Sequence, residues 1–276
     1  QIGTITLDNA SNNNTLMREL QRLLKKEDIP FDAEGNRIRY RTGKTDPLYA
    51  AALKRDPISL TRKLVKVLRS SWGRRQGLRD TIADGNRRQF FRDGKEIKHQ
   101  ELLRDVDTRW SSLFLMINRL IELYEAIDTY LNKAEQRSIR NHALSDMELR
   151  VLLDIRQLLH VFHLMQELLS AEKTPTLAMT IPIYEQLLRI LRYLARTTLK
   201  PLAHAINASI ARIEKYMAKA KSTRVYSLSM VVHPHFRFDW IQKYWGDEAA
   251  ADARRWTREL VSNITYQYSY TCSLTS

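Results

Sequence analysis

Cysteine is almost missing from this chain: Cys272, a few residues from the end, is the only one in 276. One thiol forms no internal disulfide and builds no cysteine-rich zinc module, and such usage fits a reducing compartment, nucleus or cytosol. No apolar run approaches the ~18 residues that a membrane span needs, so no membrane partner is expected. The first residues hold no basic segment followed by an apolar stretch, and no secretory signal is visible. The sequon Asn263-Ile264-Thr265 is then a chance match. Nothing resembles a glycine-rich phosphate loop, a nucleophile elbow or a kinase motif set. The chain starts at Gln1 rather than Met, and is expected to be a piece of a longer one.

What is abundant is positive charge. Lys+Arg number 45 against 31 Asp+Glu, a net +14 with a pI near 9.9. Such a surplus favours polyanionic partners, because basic side chains that neutralise phosphates release counterions. Charge alone does not separate DNA, RNA and an acidic membrane surface. Much of it is concentrated: residues 54–109 hold sixteen Lys/Arg and eight Asp/Glu. That run is either part of a DNA-facing surface or simply a solvated helix face.

Hydrophobic periodicity predicts a mainly helical protein with a small α/β part. Residues 2–8 alternate branched apolar and small residues as a short strand does, and stop at Asp8. A helix is expected from the Asn/Ser-rich turn to about Lys26. Residues 29–57, with Pro30, Gly35, Gly43, Pro47 and Pro57, read mostly as loop. A helix starts near Ser59, in a region that Gly73, Gly77, Gly85 and Gly94 are expected to interrupt.

From Trp110 to Leu131 apolar residues recur at three- and four-residue steps, the signature of an amphipathic helix. A second helix, about Ser145–Ser170, has apolar residues on nearly all sides and is expected at the centre of a bundle. Pro175 and Pro182 mark the entry of a third, and Lys200-Pro201 breaks it and starts a fourth. Four such helices in succession make an all-α bundle. Residues 225–245 change to an aromatic block, and the tail 261–276 is Ser/Thr/Tyr-rich and weakly patterned.

Five short blocks carry a resemblance. Asp8-Asn9-Ala10-Ser11-Asn12-Asn13 closes the first strand. Ser70-Ser71 with Arg74-Arg75-Gln76 follows, then Asp105-Val106-Asp107-Thr108-Arg109-Trp110-Ser111-Ser112. Glu172 through Leu177 and Tyr226 through Trp245 complete the series. In this order they resemble the hAT family of DNA transposases, whose RNase H-like catalytic domain carries an all-α insertion.

The resemblance implies a partial RNase H-like core over 1–109, a helical insertion over 110–245, and an atypical C-terminal helix or tail over 246–276. It implies DNA as partner, a nuclear location, and in the intact family a metal-dependent strand cleavage and transfer. Asp8 would be a catalytic carboxylate and a ligand of Mg²⁺, which takes hard oxygen ligands; a lone Asp after a strand otherwise serves as a turn or helix cap. Trp110 would stack on flipped DNA and Arg109 would meet phosphate, although Trp110 also falls on the apolar stripe of its helix. Arg74 and Arg75 are further DNA-contact candidates. His233/His235 and His160/His163 read as structural.

The family's first catalytic Asp and its Ser-x-x-Glu-Arg dimerisation segment find no match, nor does the Cys/His continuation expected after Arg37-Ile38-Arg39. A truncated or decayed copy, catalytically incomplete and without the segment that makes the family oligomeric, is therefore expected. The alternative is a non-enzymatic helical module, derived from a transposon, that binds nucleic acid or protein.

Overall fold

The computed structural model describes residues 5–6, 37–38, 46–106, 110–170 and 176–274. Ile5–Thr6 (β1) pairs in parallel with Arg37–Ile38 (β2), Ile5 opposite Arg37 and Thr6 opposite Ile38. The described residues are mainly helical, as expected, and this short pairing does not by itself show the expected RNase H-like part. Asp8 and the helix expected to reach Lys26 lie outside the described residues.

Two compact units divide the chain: residues 1–160 with 194–203, and residues 161–193 with 204–276. In the first, two Asp-Pro pairs begin helices. Asp46 caps α1 (Pro47–Lys54) by accepting from the Leu48 N–H at 2.9 Å, and Asp56 caps α2 (Pro57–Leu68) by accepting from the Ser59 N–H at 3.1 Å. Proline at the first helical position loses no hydrogen bond and arrives with helical φ. The expected loop over 29–57 is thus corrected at its end, where Pro47 starts a helix instead of breaking one. The Ser59 hydroxyl and N–H together hold the Asp56 carboxyl below its ordinary value.

Ser71 caps α3 (Trp72–Arg88) through the Arg74 N–H. Gly73, Gly77 and Gly85, expected to interrupt this stretch, lie inside the helix. Two of them permit close approach. A Cβ on Gly77 would stand 2.8 Å from the Tyr130 ring, and one on Gly85 would enter the Phe91 ring. Gln89 ends α3 in the left-handed region at φ 52°, and the chain turns back so that Phe91 covers Gly85.

α4 (Trp110–Leu131) supplies the centre of this core. Met116, Ile117, Leu120, Leu123, Ile127 and Leu131 are all at most 1% exposed, packed with Leu64 and Leu68 of α2 and Ile82 of α3. α5 (Asp146–Leu169) begins with a reciprocal capping box: the Ser145 N–H donates to Glu148 Oε2 at 2.8 Å, and the Glu148 N–H to Ser145 Oγ at 3.3 Å. This helix is less central than its sequence suggests. Leu153, Leu164 and Leu168 are 41%, 43% and 57% exposed, and its residues fall in both units.

The second unit takes most of α6 (Leu177–Arg196) and α7 (Ala203–Lys221), the latter following a 3-10 turn at Lys200–Leu202 as expected from Lys200-Pro201. Pro182 lies inside α6 and does not start it. The aromatic block forms α8 (Arg224–Val232) and α9 (Arg237–Trp245), and Gly246 at φ 92° leads into α10 (Asp247–Leu274). Met230, Ile241, Ala250 and Ala253, all fully buried, join these three helices. The weakly patterned tail is therefore helical through Leu274. Among the described residues no helix is long and apolar enough to cross a membrane.

The glycines give a paired test. Gly85→Ala should destabilise despite the better helix propensity of alanine, by at least ~1 kcal/mol, because the Phe91 ring must move. Gly73→Ala, which meets nothing within 4 Å, should be neutral or stabilise by up to about 1 kcal/mol. Urea denaturation of both variants checks this; equal effects would remove the packing argument.

Candidate nucleic-acid interface

The basic stretch resolves into two groups of side chains with different work. An irregular strap, residues 95–106, runs from the 3-10 turn Arg92–Gly94 toward α4 and buries Ile97 and Leu102. Arginines tie it down. Arg62 of α2 holds Asp105, with Nε donating at 2.7 Å. Arg69 donates to the Leu102 carbonyl, Arg79 pairs with Glu101, and Arg119 Nη1 donates to the Glu101 carbonyl at 2.8 Å. Asn86 adds a matched amide pair, donating to the Ile97 carbonyl at 2.8 Å and accepting from its N–H at 2.9 Å. The planar guanidinium suits this work because it forks to two acceptors with little reordering.

Arg74 and Arg75 belong to the same internal set. Arg74 Nη1 donates to the Val67 carbonyl at 3.2 Å and to Ser70 Oγ at 2.8 Å, and Arg75 Nη1 to the Arg69 carbonyl at 2.9 Å. Both are half-buried and satisfy carbonyls at the C-terminal end of α2, where a cation also meets the negative end of the helix dipole. The structure thus brings these two candidates together as caps. Trp110 is the first residue of α4. Arg109 and Asp8 lie outside the described residues, so the grouping of Asp8, Arg109 and Trp110 has no geometry here.

The second group consists mainly of lysines. Lys63 and Lys66, three residues apart on α2, stand exposed, as do Lys95, Lys98 and Arg104 of the strap. The Arg62–Asp105 tie sets the end of the strap against α2, and Arg62 lies beside Lys63 in sequence. Trp72, at the start of α3, is 70% exposed. Sequence reasoning pointed to the basic run as a whole but not to this division, because pairing across 18 to 43 residues leaves no local pattern.

Two buried polar groups of this unit, Asp154 and Tyr124, have raised pKa values. The Tyr49 hydroxyl donates to Asp154 Oδ2 at 2.8 Å, joining α1 to α5. Burial pushes the Asp154 carboxyl above its ordinary value, opposed by that hydrogen bond and by the charge of Arg150. The Tyr124 hydroxyl both donates to the Leu144 carbonyl and accepts from its N–H, each at 2.8 Å, and burial pushes it up to about 12. Among the described residues no three His, Cys, Asp or Glu side chains gather as a metal site would require. Asp8, the expected Mg²⁺ ligand, lies outside the described residues.

Residues 49–158 match the family model of the ZBED1 RNase-like helical domain. The matched stretch runs from α1 into α5 and lies wholly within the first compact unit, and it supports a hAT-related origin for this part of the chain. No curated protein and no solved structure matches the chain.

Asp154 gives a pH test of the buried pair. Its raised folded-state value means that its contribution to stability is fully present below the unfolded value, near 3.8, and is lost as pH rises through the folded one. Asp154→Asn keeps an acceptor for Tyr49 and removes the ionisation. The variant should be more stable than the parent at neutral pH, with the gap closing as the acid range is approached. Denaturation at several pH values measures this, and an Asn variant less stable at neutral pH would show that the ionised carboxylate is the favoured form.

Proposed function

We propose that the chain is a transposon-derived helical module of hAT-related descent that binds duplex DNA in the nucleus through the outer face of α2 and the strap. The match over residues 49–158 to a transposase-derived helical domain carries this reading, and the net charge of +14 supports it. The lysines at 63, 66, 95 and 98 are the side chains best suited to phosphate. They are exposed, long and compact in charge, whereas Arg62, Arg69, Arg79 and Arg119 are occupied in holding the strap. Contacts of this kind give affinity without sequence readout, so weak dependence on target sequence is expected of this surface alone. Trp72 supplies aromatic area at the start of α3, and Trp110 keeps the stacking role that the family resemblance gives it. Asp8 remains the proposed remnant of a metal-binding carboxylate, and no strand-cleavage step is assigned to this chain.

Binding to a labelled duplex, followed by anisotropy across a salt series, tests the reading. Log affinity should fall linearly with log salt at ~0.9 per phosphate neutralised. Lys63→Ala and Lys66→Ala should each reduce that slope by about one with unchanged thermal stability. Absence of binding at low salt, or a double variant with the parent slope, would sink the proposal.

A further inference from the structure

The charge of the second unit is unevenly placed. Its residues on α6 and α7, 177–193 and 204–221, hold six Lys/Arg and two Asp/Glu. In the rest of the unit Lys/Arg and Asp/Glu balance at seven each, so the whole surplus sits on this helix pair. Both acids are already engaged there. Glu214 pairs with Arg192, and Glu185 accepts from Lys221 Nζ at 2.8 Å and from the Trp245 indole N–H at 3.2 Å. Arg192 lies seven residues after Glu185 and Glu214 seven before Lys221, so the two ion pairs hold α6 and α7 antiparallel.

What remains is a row of cations on α7. Arg212, Lys215 and Lys219 follow at steps of three and four residues, which places them on one side of the helix, and all three are exposed. Ala208 and His204, also exposed, continue the row toward the N-terminus. Tyr216, 62% exposed, stands beside it with a hydroxyl able to donate. Glu214 is the only acid of α7, and it turns to Arg192 of α6. Like charges three and four residues apart repel, and interleaved acids relieve this. On α10 they do: Arg255 pairs with Asp252 at 2.6 Å, and Glu259 meets Arg224 of α8 at 2.9 Å. The helix dipole favours Lys219 in the last turn of α7 but not Arg212 or Lys215, which lie outside that turn.

We infer that the Arg212–Lys215–Lys219 row of α7 is a second contact surface for duplex nucleic acid. The three cations neutralise backbone phosphates, and the Tyr216 hydroxyl donates to a neighbouring one. A duplex presents the dense, fixed array of phosphates that such a row meets. Single strands are held largely by rings that stack on bases, and the row itself has none. A helix that binds an anionic membrane sends large apolar side chains into the acyl boundary, whereas Ala208 is the only apolar residue in the row. The row carries no amide or carboxylate to read base edges, so its contacts are with phosphate alone. It lies in the second unit, outside residues 49–158, and stands independently of the α2 surface.

The test titrates the full chain into a labelled DNA duplex, with anisotropy read across a salt series. The triple variant Arg212→Gln, Lys215→Gln, Lys219→Gln should lower the slope of log affinity against log salt by about two to three. Its melting temperature should equal or exceed the parent's, because the repulsion along the row is gone. Arg255→Gln removes an exposed cation that is already paired, and should leave the slope unchanged. If the triple variant fails to fold, Lys215→Gln alone must still lower the slope by about one. The Lys63→Ala, Lys66→Ala double variant reports on the first unit separately. A slope lowered by that pair and not by the α7 variants overturns this inference and leaves the first unit's role standing; the reverse supports the α7 row alone. Absence of duplex binding at low salt also overturns it. So does a triple variant with parent duplex binding that has lost only its binding to phosphatidylserine–phosphatidylcholine vesicles or to poly-glutamate.

Discussion

The first unit depends on how closely α3 can approach α4. Gly77 has no side chain where the Tyr130 ring arrives, and Gly85 has none where Phe91 folds back. With that spacing α4 presents Met116, Ile117, Leu120 and Ile127 to α2 and α3 at full burial. Interiors are packed like organic crystals, so a methyl group at either glycine is not absorbed by slack. Each helix glycine costs up to ~1 kcal/mol of propensity relative to alanine, and the aromatic packing gained on burial offsets it. The strap is the next layer. Its backbone has few partners of its own kind, and arginine and asparagine side chains satisfy its carbonyls instead.

Helix α4 was legible in the sequence because one amphipathic stripe of the right length faces one core. The start of a helix near Ser145 and the break at Lys200-Pro201 were equally plain. Other signals misled for identifiable reasons. Pro47 reads locally as a loop residue, although the preceding Asp46 makes the pair a helix start. Gly77 and Gly85 read as interruptions, whereas their reason lies in rings reached through tertiary packing. Residues 261–274 hide a helix behind Ser, Thr and Tyr, since neither side of that stretch shows a strong apolar period.

The candidate site was less legible than the fold. Arg74 and Arg75 stand out in the sequence through the Ser70–Gln76 block, but both turn inward to helix-end carbonyls that only the packing of α2 and α3 defines. Glu101, which receives both Arg69 and Arg79, gave no signal because its partners are distant in sequence. The blocks at Ser70 to Gln76 and at Asp105 to Ser112 both lie inside residues 49–158, while Asp8 and the two later blocks lie outside it.

The division between tied arginines and exposed lysines has a chemical consequence. Acetylation removes the charge of a lysine and leaves a guanidinium untouched. Enzymes that modify lysine would therefore act on Lys63, Lys66, Lys95 and Lys98 without loosening the contacts of Arg62, Arg69, Arg79 or Arg119 that hold the strap. The surface charge of this unit can be turned down reversibly while its architecture stays in place.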